Sequence, residues 1–332
     1  NGAVSQCAKS GRRDIQLGTS PISFGTNPCG EIILRPFGFC NLTEVVARPT
    51  DTVETLKRKV RLATILGTIQ STLTNFRYLR PIWKRNADEE RLLGVSITGI
   101  MENEYINGTR GSEETRAALL SLREEAIKTN EQWALLLGIN RSAAITCVKP
   151  SGTVSQLVGA SSGIHPGYND FFLRRIRSDN HDPITSFLKT IGIPHEPCVS
   201  KPDSTTIFTF VGAAEGVTRK NITAIEQLEL YKLYKENWCE HNASITVYVR
   251  EHEWMRVGAW VYDNFDTLIG VTFLPYSDHI YQQAPYEDIT VDDYINRVPQ
   301  YPTSINWSGL VEREDNTIGS QTLACVSGAC EI

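Results

Sequence analysis

An α/β fold with a parallel sheet is what this sequence predicts, and three observations carry the prediction. Short, β-branched apolar runs recur, at 143–148 and 244–249 among others. Long amphipathic stretches with apolar residues three and four apart lie between them. From residue 205 to 274 the two kinds alternate strand, helix, strand, helix, strand, the order of a parallel sheet with right-handed crossovers.

The elements follow in order. Residues 1–24 are polar and end in a Gly-Thr-Ser-Pro turn, so they predict a connector, with Cys7 a surface thiol. Residues 25–34 predict an extended, hairpin-like segment. Residues 52–80 predict one helix, with Val53, Leu56, Val60, Ala63, Leu66, Ile69 and Leu73 on its apolar face, Asp51 or Thr52 as its cap and Pro81 just past its end. Residues 90–99 predict a short buried strand bounded by glycine. Residues 112–137 predict a helix opened by Glu113 and Glu114 and stopped at Gly138.

The run 143–148 predicts a parallel strand that leads into Lys149-Pro150-Ser151-Gly152-Thr153-Val154-Ser155. A strand, a small glycine turn and a helix start aim backbone N–H groups at an anion, with the Ser151, Thr153 and Ser155 hydroxyls beside them. The same residues also make a plain helix cap. Arg174, Arg175 and Arg177 predict a solvated face and His165 a turn residue, neither with a catalytic role. Residues 178–202 predict a helix with flanking loops. Strands at 205–211, 244–249 and 267–274 alternate with helices at 222–237 and 251–265. After Pro302 a polar, glycine-containing tail runs to Cys325 and Cys330; without a nearby histidine, that pair fits dithiol exchange better than zinc.

Composition narrows the function. With 332 residues, 41% hydrophobic and 21% charged, the chain can build a large core or two domains. A net charge of −5 gives no general affinity for a polyanion, which disfavours a nucleic-acid partner and leaves phosphate binding to local groups. No signal peptide opens the sequence and no apolar run approaches a membrane span, so no membrane partner is expected. Eight cysteines then point to a reducing cytoplasm, where thiols serve chemistry better than they serve as staples. There is no Cys-x-x-Cys and the six histidines are scattered, so no metal site is predicted. The start at Asn1, without methionine, suggests a fragment or a processed piece.

The most informative stretch is Asn27-Pro28-Cys29-Gly30-Glu31, with Cys40 eleven residues after Cys29. In an extended segment the carboxamide, thiol and carboxylate at alternate positions share one face. A polar turn entering a buried strand explains Pro28 and Gly30 but not the thiol and carboxylate, and spacing alone leaves the two readings open.

These residues resemble the ribonucleotide reductases. Asn27-x-Cys29-x-Glu31 is similar to their finger loop, and the Cys29 to Cys40 separation resembles the adenosylcobalamin-dependent (class II) branch, above all its monomeric ribonucleoside-triphosphate reductases. Pro150-Ser151-Gly152-Thr153, the segment 161–177, Asn242 to Tyr248, Gly270 to Pro275 and Tyr281 to Glu287 extend the resemblance over nearly the whole chain from the hairpin onward.

The resemblance implies the C-terminal half of a ten-stranded α/β barrel. Residues 1–24 would be a connector, 25–305 the half-barrel with its central finger loop, and 306–332 a flexible redox-active tail. It implies adenosylcobalamin as radical source, Cys29 as the thiyl that takes the ribose 3′-hydrogen, Glu31 as base at the 3′-hydroxyl and Asn27 as an orienting group. Ser151, Gly152, Thr153 and, less directly, Ser155 would bind the phosphates of a ribonucleotide, most simply a triphosphate. Cys40 would be one member of the reducing dithiol, the other belonging to the absent first half. Cys325 and Cys330 would relay electrons from a thioredoxin- or glutaredoxin-like reductant.

Other readings stay open: the large subunit of a two-subunit (class I) reductase, disfavoured by the Cys29 to Cys40 spacing and the lack of a Tyr-Tyr pair before the tail; a glycyl-radical reductase, for which no C-terminal glycine site is evident; and a non-catalytic nucleotide-binding or thiol-exchange partner.

Overall fold

The computed structural model describes Arg12, residues 23–276 and 282–312, and two short strands at 325–326 and 329–330. Cys7 lies outside the described residues, as do the side chains of Cys325 and Cys330. The chain folds as two units, one taking the residues up to Gly167 together with Glu215–Tyr276, the other Tyr168–Ala214 and the chain beyond residue 276.

In the first unit, a two-residue strand Gly25–Thr26 (β1) pairs antiparallel with Ile33–Leu34 (β2), forming a small hairpin. Asn41–Val46 (β3) pairs in parallel with Leu93–Thr98 (β4), from Asn41 opposite Leu93 to Val46 opposite Thr98. Parallel bridges then link Val95 to Thr146 and Val148 to Ala243, and Ser244–Val249 (β8) pairs in parallel with Gly270–Pro275 (β9). Five parallel segments thus stand side by side, with 143–148 in the middle.

Alternation along these strands separates two faces. Val45, Leu93, Val95, Ile97, Ile245, Val247 and Val249 point into the main core, against helices Val53–Gln70, Ser112–Leu137 and Ala224–Asn237. The opposite face carries Leu42 and Glu44, then Gly94, Ser96 and Thr98, then Ser244 and Thr246, then Gly270. All six residues of β4 are buried, so its small and polar side is covered as well.

Helix boundaries follow local chemistry. Thr52 and Thr55 close a reciprocal capping box at the start of Val53–Gln70, and Gly138 ends Ser112–Leu137 in the left-handed conformation. The single helix expected over 52–80 is corrected to two: the first stops at Gln70, and Pro81 starts the second, Pro81–Glu90, instead of marking an end. Ser71 and Thr72 turn their hydroxyls back onto the Thr68 and Ile69 carbonyls, satisfying acceptors that a continuing helix would have bonded.

The second unit is antiparallel. Phe171–Asp179 (β5) pairs along its whole length with Thr205–Ala213 (β7), flanked by His195–Pro197 (β6) on β7 and Tyr286–Asp288 (β10) on β5. The parallel strand-helix-strand series predicted from residue 205 is therefore corrected at its first member. Nine-residue antiparallel pairing with β5, a stretch the sequence presents only as an arginine cluster, takes β7 away from β8. The arginines are partnered: Arg175 reaches Glu287 and the Ala284 carbonyl, Arg177 the Gln283 carbonyl, and Arg174 lies over the Tyr286 ring at 4.4 Å. At the predicted tail, Trp307 packs on Phe187 with ring centroids 5.5 Å apart. Cys325–Val326 (β11) and Ala329–Cys330 (β12) pair antiparallel, with Cys325 opposite Cys330.

Candidate active site

The hairpin loop is a turn, which corrects the extended reading of residues 27–31. The Asn27 carbonyl accepts the Gly30 N–H at 3.0 Å, and Asn27 Oδ1 accepts the Ile32 N–H at 3.0 Å. Gly30 adopts φ 79°, a left-handed value that suits glycine. A Cβ there would stand 3.2 Å from the Gly270 Cα, so the loop lies backbone against backbone on the start of β9.

Residues just before β8 hold this loop. Asn242 Nδ2 donates to the Gly30 carbonyl at 2.9 Å, and the Asn242 N–H donates to the Glu31 carbonyl at 3.0 Å. Tyr231, fully buried on helix Ala224–Asn237, donates from its hydroxyl to Asn242 Oδ1 at 3.2 Å. His241 bridges two elements: its Nδ1 accepts the Ile33 N–H at 3.3 Å, which leaves Nε2 to donate to the Leu93 carbonyl at 2.9 Å. Glu240 is fixed by a buried, two-pronged pair with Arg12, at 3.0 and 2.9 Å, and accepts the Ile145 N–H at 2.8 Å.

On this scaffold Cys29 is half-buried, and Glu31 is fully buried with neither carboxylate oxygen meeting a protein hydrogen-bond partner. Cys40, also half-buried, has its Sγ 3.3 Å from where a Cβ on Gly94 would stand, and Ile32 Cδ1 is 3.0 Å from that point. The absent side chain of Gly94 leaves room for both. Behind them Cys147 is fully buried; desolvation pushes its thiol well above the ordinary value, and the Cys40 and Cys239 thiols and Glu31 push the same way. A thiol held protonated there is a poor nucleophile.

The predicted phosphate turn follows the central segment. Ser151 is buried and donates from Oγ to Glu44 Oε2 at 2.8 Å, and its Oγ accepts the Ser155 N–H at 3.2 Å. Ser155 is fully buried and turns its hydroxyl onto the Ser151 and Gly152 carbonyls, so it shapes the turn from within. Gly152 is half-buried and Thr153 exposed, at the start of the short helix Thr153–Leu157. Glu44 sits on β3 on the face of Gly94 and Ser96; burial raises its carboxyl above the usual value, opposed by the Ser151 bond and Lys149, and its Oε1 is buried without a partner.

His165, expected to be a turn residue, is buried and structural. Its Nε2 accepts the Thr246 N–H at 2.9 Å, so Nδ1 carries the proton given to the Ser162 carbonyl at 2.8 Å.

Comparison with known proteins finds relatives of this chain. No protein-family model matches the chain. The adenosylcobalamin-dependent ribonucleoside-triphosphate reductase of Euglena gracilis is 30% identical over 92% of this chain and 42% of its own length. The enzyme of that name from Lactobacillus delbrueckii subsp. bulgaricus is 28% identical over 93% of this chain and 45% of its own. The relatives of this chain are class II ribonucleotide reductases. A crystal structure of a B-12 dependent (class II) ribonucleotide reductase superposes with a TM-score of 0.73 at 24% identity, covering 90% of this chain and 47% of that one. The chain thus spans less than half the length of the class II relatives it matches.

Residues that sequence reasoning missed are Glu44, Cys147, Tyr231, His241 and Asn242. The available signal was alternation: in Leu93-Gly94-Val95-Ser96-Ile97-Thr98 every second residue is small or polar although the strand is buried, which marks a face that receives something other than a helix.

Proposed function

We propose that this chain supplies the finger loop and phosphate turn of an adenosylcobalamin-dependent ribonucleoside-triphosphate reductase, its five parallel segments forming one half of a ten-stranded barrel. The observation that carries the reading is Glu31: a buried carboxylate with two unpartnered oxygens, two residues from a half-buried cysteine, needs a donor from outside the chain. A ribose hydroxyl is such a donor.

Cys29 suits the hydrogen-donor role, because its thiol is half-buried at the loop and therefore approachable. Adenosylcobalamin, when bound, supplies the carbon radical chemistry that removes a thiol hydrogen. The Cys29 thiyl then takes the 3′-hydrogen of the ribose. Glu31 accepts the 3′-hydroxyl proton and thereby gains its missing partner. Asn27, with Oδ1 engaged by Ile32, offers Nδ2 to orient the ribose. Loss of the 2′-hydroxyl as water takes a proton and two electrons, which Cys40 and a thiol of the other barrel half give up on forming a disulfide. Ser151, Gly152 and Thr153 receive the phosphates, with Ser155 holding their turn. Cys325 and Cys330, whose backbones face each other, form the relay from a thioredoxin- or glutaredoxin-like reductant in the cytoplasm.

Replacing Glu31 by Gln in the intact protein tests the reading. Cytidine triphosphate should bind within about threefold of wild type, while deoxynucleotide formation falls by roughly 10²- to 10⁴-fold, the size of a lost general base. Wild-type turnover by Glu31→Gln would refute the assignment.

A further inference from the structure

Glu44 is left over from the proposed chemistry, yet it occupies the face that the hairpin and the phosphate turn share. On β3 it stands two residues beyond Leu42, whose Cδ2 lies 2.3 Å from where a Cβ on Gly94 would be, and it is in register with Ser96. Its Oε2 is claimed by Ser151, the buried hydroxyl of the turn proposed to receive phosphate, while its Oε1 is buried with no partner. An acidic side chain there opposes an anionic ligand unless it carries a proton.

We propose that Glu44 takes up one proton when a triphosphate occupies the Ser151 turn, and that the resulting carboxylic acid donates from its unpartnered oxygen to the ligand. The proton comes from solvent and returns there on release, so the step needs no other reactant. This inference rests on the phosphate-turn reading given above.

The surroundings favour the exchange. The Ser151 hydroxyl and Lys149, from the turn, favour the charged carboxylate and oppose the larger upward push of burial. On the shared face β4 offers only Gly94, Ser96 and Thr98, none titratable, and the Ser96 hydroxyl already accepts the Lys149 N–H. Cys147, on the central segment, is near enough to Cys40, Glu31 and Lys149 to feel all three, so these are the further ionisable groups around the shared face. Burial already biases Glu44 toward its neutral form. A phosphate beside it adds a like charge, moving the equilibrium further in that direction.

The test is calorimetric titration of the intact protein with cytidine triphosphate, and separately with inorganic tripolyphosphate, in buffers of different ionisation enthalpy. Wild type should take up close to one proton more than Glu44→Gln does, and its log Kd should rise by up to about one per pH unit through the titration window, a slope that Glu44→Gln lacks. Glu44→Leu gives the same comparison should the Gln variant not fold. Equal proton uptake in wild type and Glu44→Gln, with binding still weakened about tenfold or more by Ser151→Ala, overturns the role of Glu44 and leaves the phosphate turn standing. Binding unaffected by Ser151→Ala overturns the phosphate turn itself, and this inference with it.

Discussion

Asn242 grips the loop that carries Cys29 at two successive residues, through its side chain at the Gly30 carbonyl, 2.9 Å, and its backbone N–H at the Glu31 carbonyl, 3.0 Å. Because the Tyr231 hydroxyl holds the other end of the same carboxamide, the loop is positioned from the helix layer, through β8, to the reacting face. Replacing Asn242 by Ala removes the side-chain donor of the buried Gly30 carbonyl, while the Tyr231 hydroxyl keeps the Thr267 carbonyl and the Ile269 N–H. The expected loss is about 1–3 kcal/mol for the carbonyl so orphaned. Urea unfolding should show that loss, and hydrogen exchange should speed at the Gly30 and Ile32 amides beyond what the global change explains. Unchanged exchange there would show that Asn242 does not position the loop.

Glu240 anchors the same segment from below. It is almost fully buried, paired twice with Arg12 and bonded to the Ile145 N–H. Glu240→Ala strands a buried guanidinium and should cost about 3–5 kcal/mol. Denaturant titration of Glu240→Ala, Arg12→Ala and the double variant should show strong coupling, the double costing clearly less than the sum.

His165 makes stability depend on pH. Burial lowers its folded-state pKa, and both ring nitrogens are engaged by the neutral form. A base with a depressed folded pKa contributes stability that is complete above its unfolded value, about 6.5, and is lost as pH falls from there through the folded value. The denaturation midpoint of wild type should therefore drop between neutral and mildly acidic pH more steeply than that of His165→Gln. Parallel curves would remove His165 as the source.

Much of this architecture can be seen in the residues themselves, where local chemistry is decisive. The helix Ser112–Leu137 begins and ends where its acidic first turn and Gly138 place it, and β8 covers the predicted 244–249. Errors arose where pairing depends on residues far apart. The apolar run at Thr205 is suited to any sheet; its long partner strand Phe171–Asp179, hidden behind arginines that are satisfied by the 283–287 segment, makes it antiparallel. Asn27, Cys29 and Glu31 stand out by residue type, but the turn that arranges them depends on Gly270 and Asn242, more than two hundred residues on.

The tail cysteines separate chemistry from re-reduction. With Cys325 and Cys330 both replaced by Ser in the intact protein, sustained turnover with a thioredoxin-like reductant should stop, while a single pre-reduced turnover and turnover driven by a small dithiol continue. Loss of the single turnover would assign the tail a different role.

The most direct test of the central claim is deoxynucleotide formation by the intact protein carrying Cys29→Ser, assayed with adenosylcobalamin, a ribonucleoside triphosphate and a small dithiol. An O–H bond is much stronger than an S–H bond, so serine cannot take over the radical step. The account predicts no product above background, with nucleotide binding kept within about threefold, because the hydroxyl fits the space of the thiol. Product formation by Cys29→Ser at a rate comparable to wild type would contradict it.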